Sequence, residues 1–392
     1  MIVIAGKNNI AVHGLELALK YFDRNEIIAI VNANDTGEDG WQRSLLGFAK
    51  SNKVSIKTLE EVYDLDVDIF LSLEFDKIVR PEKIQTSKIY NIHFSLLPKY
   101  KGMYTSVWPI IYGDQSSGVT LHRIDRGIDT GDVIAQKSFI LNRSDRSQDC
   151  YRKYIEASKL LLEENFSLLI SDNEIIARPQ PATMSSYFAK QSVDFSKLSI
   201  DLRKTAWQIQ RQVYAYSFRP YQLLNFNGKA ISDVLISDRK SEAPSGTVVE
   251  YLDDRFVVAT IDYDVELIFD DFDSQISILP SMDVADLSEC ILKMLGVSDR
   301  NRNGWSPIIV AAYHGRLDLV EWLLDNGADV NDVNYNGTTV LMYAKDFSLK
   351  NNNSEMVRFL LKKGARPELK DYKGKTVMEY INASEAEFLG LS

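Results

Sequence analysis

The chain has 392 residues and a net charge of −10, with 45% hydrophobic and 26% charged residues. This length predicts two or three domains of ordinary globular composition. The acidic balance argues against a broad nucleic-acid surface, and no apolar stretch approaches the roughly 20 residues of a membrane span. Cys150 and Cys290 lie far apart without CxxC spacing, which favours reduced thiols in a cytoplasmic protein over a disulfide or a metal pair.

Short apolar runs alternate with helical patterns over the first 150 residues. The sequence predicts buried strands at residues 2–5, 26–31, 68–73 and 88–92 and a helix at 14–22. The first apolar run is interpreted as a strand and not as a signal peptide. This alternation predicts a doubly wound α/β domain with a parallel sheet, whose ligands bind outside the carboxyl ends of the strands. No GxGxxG follows the first strand, which argues against a classical dinucleotide site.

The middle of the chain changes character after a long helix predicted at 147–170. Pro179 and Pro181 indicate a linker, and residues 202–213 predict a further helix. From 221 to 273 the apolar runs are short, and Asn227-Gly228 between two of them is a strong hairpin signal. We therefore expect a small antiparallel sheet or barrel.

The C-terminal part contains an internal repeat. The run beginning at Gly304 recurs 33 residues later at Gly337, and the GADVN sequence at 327–331 is echoed after 363. A period of 33 with these signatures resembles ankyrin repeats, and residues 288–296 are interpreted as a helix of a preceding half-unit. The predicted domains are 1–180, 181–280 and 281–392.

Two polar runs follow predicted strands. Asn91 and His93 stand two residues apart after an apolar strand, so both side chains should enter the crevice from one face. The second run, 122–132, contains Asp129 among glycines that permit close approach to a ligand. His13, His122 and His314 lack such partners in the sequence and are predicted to be structural.

These two runs resemble the folate-dependent formyltransferases, which act on glycinamide ribonucleotide, methionyl-tRNA and amino sugars. Asn91, His93 and Asp129 match the family's catalytic positions, including the 38-residue step from Asn91 to Asp129. The resemblance covers residues 1 to about 230 and implies a Rossmann-like fold. In the implied chemistry an amine attacks the formyl carbon, and Asn91 and His93 stabilise the oxyanion. His93 accepts a proton from the amine, and Asp129 orients His93 or relays a proton through water.

The resemblance also implies N10-formyltetrahydrofolate as the co-substrate, with no metal. The pterin should lie beside the loop after the third apolar strand and beside the glycine-rich loop. The folate-binding residues implied there are Leu73, Phe75, Asp76, Lys77 and Asp132.

The run after Gly102 is bulkier than in tRNA-directed relatives and resembles the branch acting on dTDP-linked amino sugars. This implies dTDP-3-amino-3,6-dideoxyglucose as the first choice and dTDP-4-amino-4,6-dideoxyglucose as the second, within O-antigen (lipopolysaccharide) biosynthesis and in a homodimer. A diphosphate needs cations and a thymine needs an aromatic face. Residues of these types near the domain junction are Tyr187, Lys190, Arg219 and Tyr221.

The role of the ankyrin unit stays open among a structural cap, a surface for a protein partner and a second small-molecule site. Trp305 motivates the last of these, because it occupies a variable and often exposed repeat position. A different function also stays open, in which the ankyrin unit makes the chain a scaffold and the α/β domain is inactive.

Overall fold

The structure is a computed structural model that describes residues 1–219, 221–287, 296–297, 299–301 and 303–391. The strands of its first half, in chain order, are β1 (Ile2–Gly6), β2 (Ile27–Val31), β3 (Ser55–Ile56), β4 (Ile69–Leu73), β5 (Ile89–His93), β6 (Lys101–Gly102), β7 (Ser116–Arg123), β8 (Val133–Ile140) and β9 (Tyr187–Phe188). The helices there are α1 (Asn8–Tyr21), α2 (Leu45–Ser51), α3 (Leu59–Val62), α4 (Trp108–Tyr112), α5 (Ser147–Ile170) and α6 (Ala206–Tyr216).

The large sheet has seven strands in the order β3-β2-β1-β4-β5-β7-β8. The first five are parallel, as expected, and the chain changes direction of winding between β1 and β4, where such sheets bind ligands. The expectation of a wholly parallel sheet is wrong for β7 and β8, which pair antiparallel with β5 and with each other. A loop joins β7 directly to β8 without a crossover helix, so the two strands must run in opposite directions.

Both faces of this sheet are covered. On one face Ile4, Leu15 and Leu162 belong to a large core formed with α1 and α5, and on the other Val3, Phe70 and Val79 pack with α3. The same large core continues into the small sheet through Leu224 and Val265. The carboxyl ends of the strands therefore belong to a sheet that is covered on both faces.

The small sheet is antiparallel, in the order β10-β11-β14-β13-β12. Asn227 and Gly228 both have positive φ, of 49° and 80°, and they connect the first two strands in a tight hairpin, as the sequence indicates. Its strands are β10 (Leu224–Phe226), β11 (Lys229–Ile236), β12 (Val248–Tyr251), β13 (Arg255–Val258) and β14 (Val265–Phe269).

The C-terminal part is helical and has its own core. Its helices are α7 (Phe272–Ile278), α8 (Pro307–Tyr313), α9 (Leu317–Asp325), α10 (Val340–Asn351), α11 (Glu355–Lys362) and α12 (Ala383–Leu389). Phe272, Ile308 and Leu360 are among the residues that fill this core. The helix predicted at 288–296 lies, except for Gly296, outside the described residues, and the boundaries after 180 and 280 stay a prediction.

None of the helices in the described part of the chain is long and apolar enough to cross a membrane.

Candidate active site

Asn91 and His93 lie at the carboxyl end of β5, where the two-residue spacing directs both side chains to one face. The imidazole of His93 is buried, and its Nε2 lies 2.8 Å from the carbonyl oxygen of Tyr100. A carbonyl oxygen only accepts hydrogen bonds, so Nε2 carries a proton and donates it to Tyr100. The exchangeable nitrogen of His93 is therefore Nδ1.

Asp129 meets that nitrogen from the loop between β7 and β8. Its Oδ2 lies 3.5 Å from Nδ1 of His93 and accepts a hydrogen bond of 2.9 Å from the backbone N–H of Gly102. Its φ of 53° is left-handed, a conformation that aspartate tolerates better than most residues. Gln180 holds the loop by donating to the carbonyl oxygens of Asp129 and Gly131, at 2.9 and 2.8 Å.

Gly102 is required where it stands. It has a φ of 91°, and a Cβ there would lie 2.2 Å from the carbonyl oxygen of Phe188, because β6 and β9 pair at this point. The close pairing brings the backbone N–H of Gly102 to Asp129. Glycine therefore allows the loop after β5 to support the carboxylate.

His122 joins the same cluster, so the prediction that it lacks partners is wrong. It lies opposite Asn91 in the β5–β7 register, and its Nε2 is 3.1 Å from Nδ2 of Asn91 and 3.7 Å from Oδ1 of Asp129. Its Nδ1 lies 2.7 Å from the carbonyl oxygen of Arg123. This contact depends on the strand at 116–123, and because the sequence analysis predicted no strand there, the contact was not predicted.

The protonation of His122 follows from its surroundings. Burial is the largest effect and lowers the pKa of His122 to about 4; His93 acts in the same sense, whereas Asp129 opposes it. The ring is neutral near pH 7, with its proton on Nδ1 facing the Arg123 carbonyl. Its Nε2 then accepts from the amide of Asn91, which fixes the carboxamide and leaves that amide's second N–H free to donate elsewhere.

Of the predicted folate residues, Leu73 ends β4 and Phe75, Asp76 and Lys77 follow it, whereas Asp132 directly precedes β8. Leu73 is buried and Phe75 half-buried, whereas Asp76, Lys77 and Asp132 are exposed. Asn32 holds the loop after β4 by donating to the carbonyl oxygen of Glu74 at 2.9 Å and accepting from the N–H of Asp76 at 3.3 Å. Beside the loop is a groove of about 460 Å³ with charges of both signs. Its lining includes the cations Lys77, Arg80 and Lys83 and the carboxylates Glu60 and Asp64, and Nζ of Lys77 lies 3.8 Å from Glu60.

The four predicted substrate residues fall into two pairs. Tyr187 and Lys190 are exposed at and after β9, with the ring of Tyr187 next to Gly102. Tyr221 is exposed after α6, where its hydroxyl accepts a hydrogen bond of 3.1 Å from Nε1 of Trp41. Arg219 is largely buried and donates to Asp270 and Asp299, so its charge is already matched within the protein.

An aromatic and carboxylate cluster beside Tyr221 was missed at the sequence level. Trp41 packs against Tyr151 and Phe218, with ring centroids 5.4 and 5.3 Å away. Tyr151 donates to Glu74 at 2.8 Å, and Asn8 donates to the same carboxylate at 3.2 Å. Burial, its largest cause, raises the pKa of Glu74. These residues come from five distant stretches of the chain, and no local pattern relates them.

Trp305 is half-buried against Tyr313 and Tyr343, with ring centroids 5.2 and 5.3 Å away. One side of it lines a cavity of about 490 Å³, to which α7 and the segment before α8 also contribute. Polar side chains in that lining are Asp273, Asn301 and His314. Within the described residues, no group of three or more His, Cys, Asp or Glu side chains is placed to hold a metal ion.

Comparisons with known proteins show which families this chain matches. Residues 18–165 match the formyl transferase family, and residues 282–377 match a family of ankyrin repeats in three copies. The bifunctional polymyxin resistance protein ArnA of Wigglesworthia glossinidia brevipalpis is 32% identical over 148 residues, which are 37% of this chain and 22% of ArnA. The match thus spans about a fifth of that relative's length.

Two solved structures are similar over much more of their length. An N-formyltransferase from Helicobacter canadensis, in complex with folinic acid and dTDP-3-aminofucose, is 39% identical with a TM-score of 0.62, over 68% of this chain and 98% of that one. The sugar 3N-formyl transferase WlaRD, in the presence of dTDP and 5-N-formyl-THF, is 38% identical with a TM-score of 0.62, over 68% and 97%. This chain therefore belongs to the folate-dependent formyltransferase family, in its sugar N-formyltransferase branch, and is an N-formyltransferase that also carries ankyrin repeats.

Proposed function

We propose that the protein transfers the formyl group of N10-formyltetrahydrofolate to the 3-amine of a dTDP-linked 3-amino-3,6-dideoxyhexose, with dTDP-3-amino-3,6-dideoxyglucose as the first choice. The observation that carries the proposal is the convergence of Asn91, His93 and Asp129 at the carboxyl end of β5. The two similar structures that contain dTDP or a dTDP-3-amino sugar support the substrate class.

In this proposal Asn91, His93 and Asp129 are the catalytic residues. The amine nitrogen attacks the formyl carbon, a C–N bond forms, and negative charge collects on the formyl oxygen. Asn91 stabilises that oxygen with the N–H not engaged by His122, and one such donor typically changes the rate by about 10²–10³-fold. The bond from the formyl carbon to N10 then breaks, and N10 takes up a proton while the amine loses one.

In this proposal, the pair formed by His93 and Asp129 accepts the proton that the amine loses and returns a proton to N10. Nε2 of His93 is engaged with the Tyr100 carbonyl, so proton transfer takes place at Nδ1, beside Oδ2 of Asp129. In this proposal Nδ1 of His93 takes up the proton of the amine through a bridging water, and Asp129 keeps the imidazole oriented. Gly102 keeps the carboxylate in place throughout.

The co-substrate fits the loops that flank this centre. We place the pterin beside Leu73, Phe75, Asp76 and Asp132, where the loop after β4 is held by Asn32. Lys77 stands at the groove that continues from this loop. We assign Arg80 and Lys83 of that groove to the carboxylates of the folate tail, since Lys77 already pairs with Glu60.

The nucleotide fits the aromatic cluster. We place the thymine on the ring faces of Trp41 and Tyr221, and the sugar beside Tyr151 and Glu74, which share a hydrogen bond of 2.8 Å. Tyr187 and Lys190 remain proposed contacts on the other side of the catalytic centre, next to Gly102.

The wider role belongs to the same proposal. We assign the enzyme to O-antigen (lipopolysaccharide) biosynthesis in the cytoplasm, as a homodimer that needs no metal. Trp305 and its cavity are proposed as a second small-molecule site. A 4-amino sugar is the alternative acceptor, and an ankyrin-based scaffold with an inactive transferase domain is the alternative function.

The test is turnover with N10-formyltetrahydrofolate and a panel of dTDP-3-amino and dTDP-4-amino sugars, read as tetrahydrofolate release and sugar mass. Gain of one formyl group on a 3-amino sugar supports the proposal, and gain only on 4-amino sugars corrects the acceptor. His93→Asn should abolish turnover. His13→Asn is the matched control, because its imidazole faces Glu163 on α5, outside the proposed centre. No turnover on any sugar by the folded wild type would favour the scaffold.

A further inference from the structure

Arg219 joins three parts of the molecule. Its Nη1 donates to Oδ1 of Asp270 at 2.6 Å, and its Nε donates to Oδ2 of Asp299 at 3.0 Å. Its backbone N–H donates to Oε1 of Gln148 at 3.1 Å. Asp270 follows β14 of the small sheet, Asp299 precedes α8 in the ankyrin region, and Gln148 lies on α5 of the α/β domain.

The guanidinium is enclosed as well as paired. It lies 4.5 Å from the ring centroid of Phe272, the first residue of α7, and its side chain is only 14% exposed. Burial alone would lower the pKa of Arg219, but Asp299 and Asp270 together raise it. Two carboxylates and one aromatic face thus occupy the surface that a diphosphate would need.

The residues flanking Arg219 face the proposed nucleotide site. Phe218 packs against Trp41 and Tyr151, with ring centroids 5.3 and 5.7 Å away. Tyr221 holds the indole N–H of Trp41 at 3.1 Å. A shift of the backbone at Arg219 would therefore move the aromatic rings against which the thymine is proposed to bind.

We infer that Arg219 is a positioning residue: through Asp270 and Asp299 it fixes the segment bearing Phe218 and Tyr221, and thereby makes nucleotide affinity depend on docking of the ankyrin unit. This inference rests on the proposed function for the identity of the nucleotide. It replaces the role of diphosphate contact that the sequence indicated for Arg219.

Asp299 provides the discriminating variant, because it contacts Arg219 and lies on the ankyrin side. The charge of Asp299 also reaches Arg146 and Arg152, so Asp270→Asn, which removes the other carboxylate paired with Arg219, is measured beside it and should change dTDP binding in the same direction. If Arg219 touches the diphosphate, then Asp299→Asn frees the guanidinium and strengthens dTDP binding or leaves it unchanged. If Arg219 positions the aromatic segment, then Asp299→Asn weakens binding as Arg219→Ala does. A second contact between the two units, Arg43 at 4.8 Å from the ring of Tyr372, is unaffected by either change.

The measurement is the Kd of dTDP by calorimetry on the full-length protein, with KM for the amino sugar and for formyl-folate measured in parallel. We expect Arg219→Ala and Asp299→Asn each to raise the Kd of dTDP on the order of tenfold, as for one lost charged hydrogen bond. The double variant should be no weaker than Arg219→Ala, and the KM for formyl-folate should stay within about twofold. Arg203→Ala removes an exposed pair with Asp201 and should leave all values unchanged.

Unchanged or tighter dTDP binding by Asp299→Asn, or additive losses in the double variant, would overturn the inference. Equal rises in both KM values with a large fall in melting temperature would also overturn it, since they indicate general unfolding. A wild type that binds dTDP but formylates no sugar would overturn the proposed reaction alone.

Discussion

His122 offers the sharpest test of how the carboxamide of Asn91, proposed as catalytic, is oriented. Its neutral Nε2 accepts from Asn91 at 3.1 Å, so His122→Leu removes the hydrogen-bond partner that this amide has among the described residues. Losing this bond alone corresponds to about two- to tenfold in rate, at ~0.5–1.5 kcal/mol. The upper limit is the effect of Asn91→Ala, about 10²–10³-fold for one oxyanion donor.

The assay is a double-variant cycle on kcat with a saturating amino sugar and formyl-folate. Because His122 acts through Asn91, the double variant should be no slower than Asn91→Ala alone. Each variant is checked for folding by its melting temperature and by dTDP binding, for which no role is proposed for Asn91. Wild-type kcat in His122→Leu, or strictly additive losses in the double variant, would refute the proposed chain from His122 to Asn91.

Four further outcomes are expected. Leu162→Ala should lower the free energy of unfolding by about 2–5 kcal/mol in a denaturant titration, since Leu162 is fully buried. Gly102→Ala should destabilise by about 1–3 kcal/mol and lower kcat, because its Cβ would meet a carbonyl oxygen at 2.2 Å. Trp41→Ala should raise KM for the nucleotide sugar at least tenfold without changing KM for formyl-folate. Finally, the pKa of His122 is lower in the folded state (about 4) than in the unfolded state (about 6.5). The free energy of unfolding should therefore fall as the pH drops from about 6.5 to about 4, by ~1.4 kcal/mol per pH unit at most. The fall should be smaller in His122→Leu.

Each of these expectations has a contrary result. An unfolding midpoint unchanged by Leu162→Ala would place the core elsewhere, and full activity in Gly102→Ala would remove the support ascribed to Asp129. Equal effects of Trp41→Ala on both KM values would contradict a specific contact between the indole and the nucleotide. Identical acid titrations of stability for wild type and His122→Leu would contradict a buried, neutral imidazole.

The elements with a clear period were predictable from the sequence. The helix predicted at 147–170 is the helix observed, because its apolar positions repeat over six turns. Asn91 and His93 were placed correctly on one face, since residues i and i+2 of a strand point to the same side of the sheet. The ankyrin unit was recognisable from its 33-residue period, and the described helices follow it.

The contacts that assemble the site from distant segments were not predictable. His122 reaches Asn91 only because β7 pairs antiparallel with β5 in a register that places them opposite each other. Asn8 meets Glu74 and Tyr151 across 66 and 143 residues, with no local pattern to relate them. Arg219 has the positive charge expected of a residue that binds a diphosphate. The two carboxylates that already pair with it are visible in the structure and not in the sequence.

The position of Asp129 joins fold and chemistry most directly. A non-glycine residue in the left-handed region is disfavoured by about 1 kcal/mol or more, so the fold must hold this residue there. Gln180 holds its backbone, and Gly102 holds one carboxylate oxygen. That oxygen faces His93, while the other faces His122, so a single side chain sets the electrostatic environment of both imidazoles. Asparagine or glycine would suit the left-handed backbone equally well or better, and only the need for a carboxylate between two histidines accounts for the aspartate.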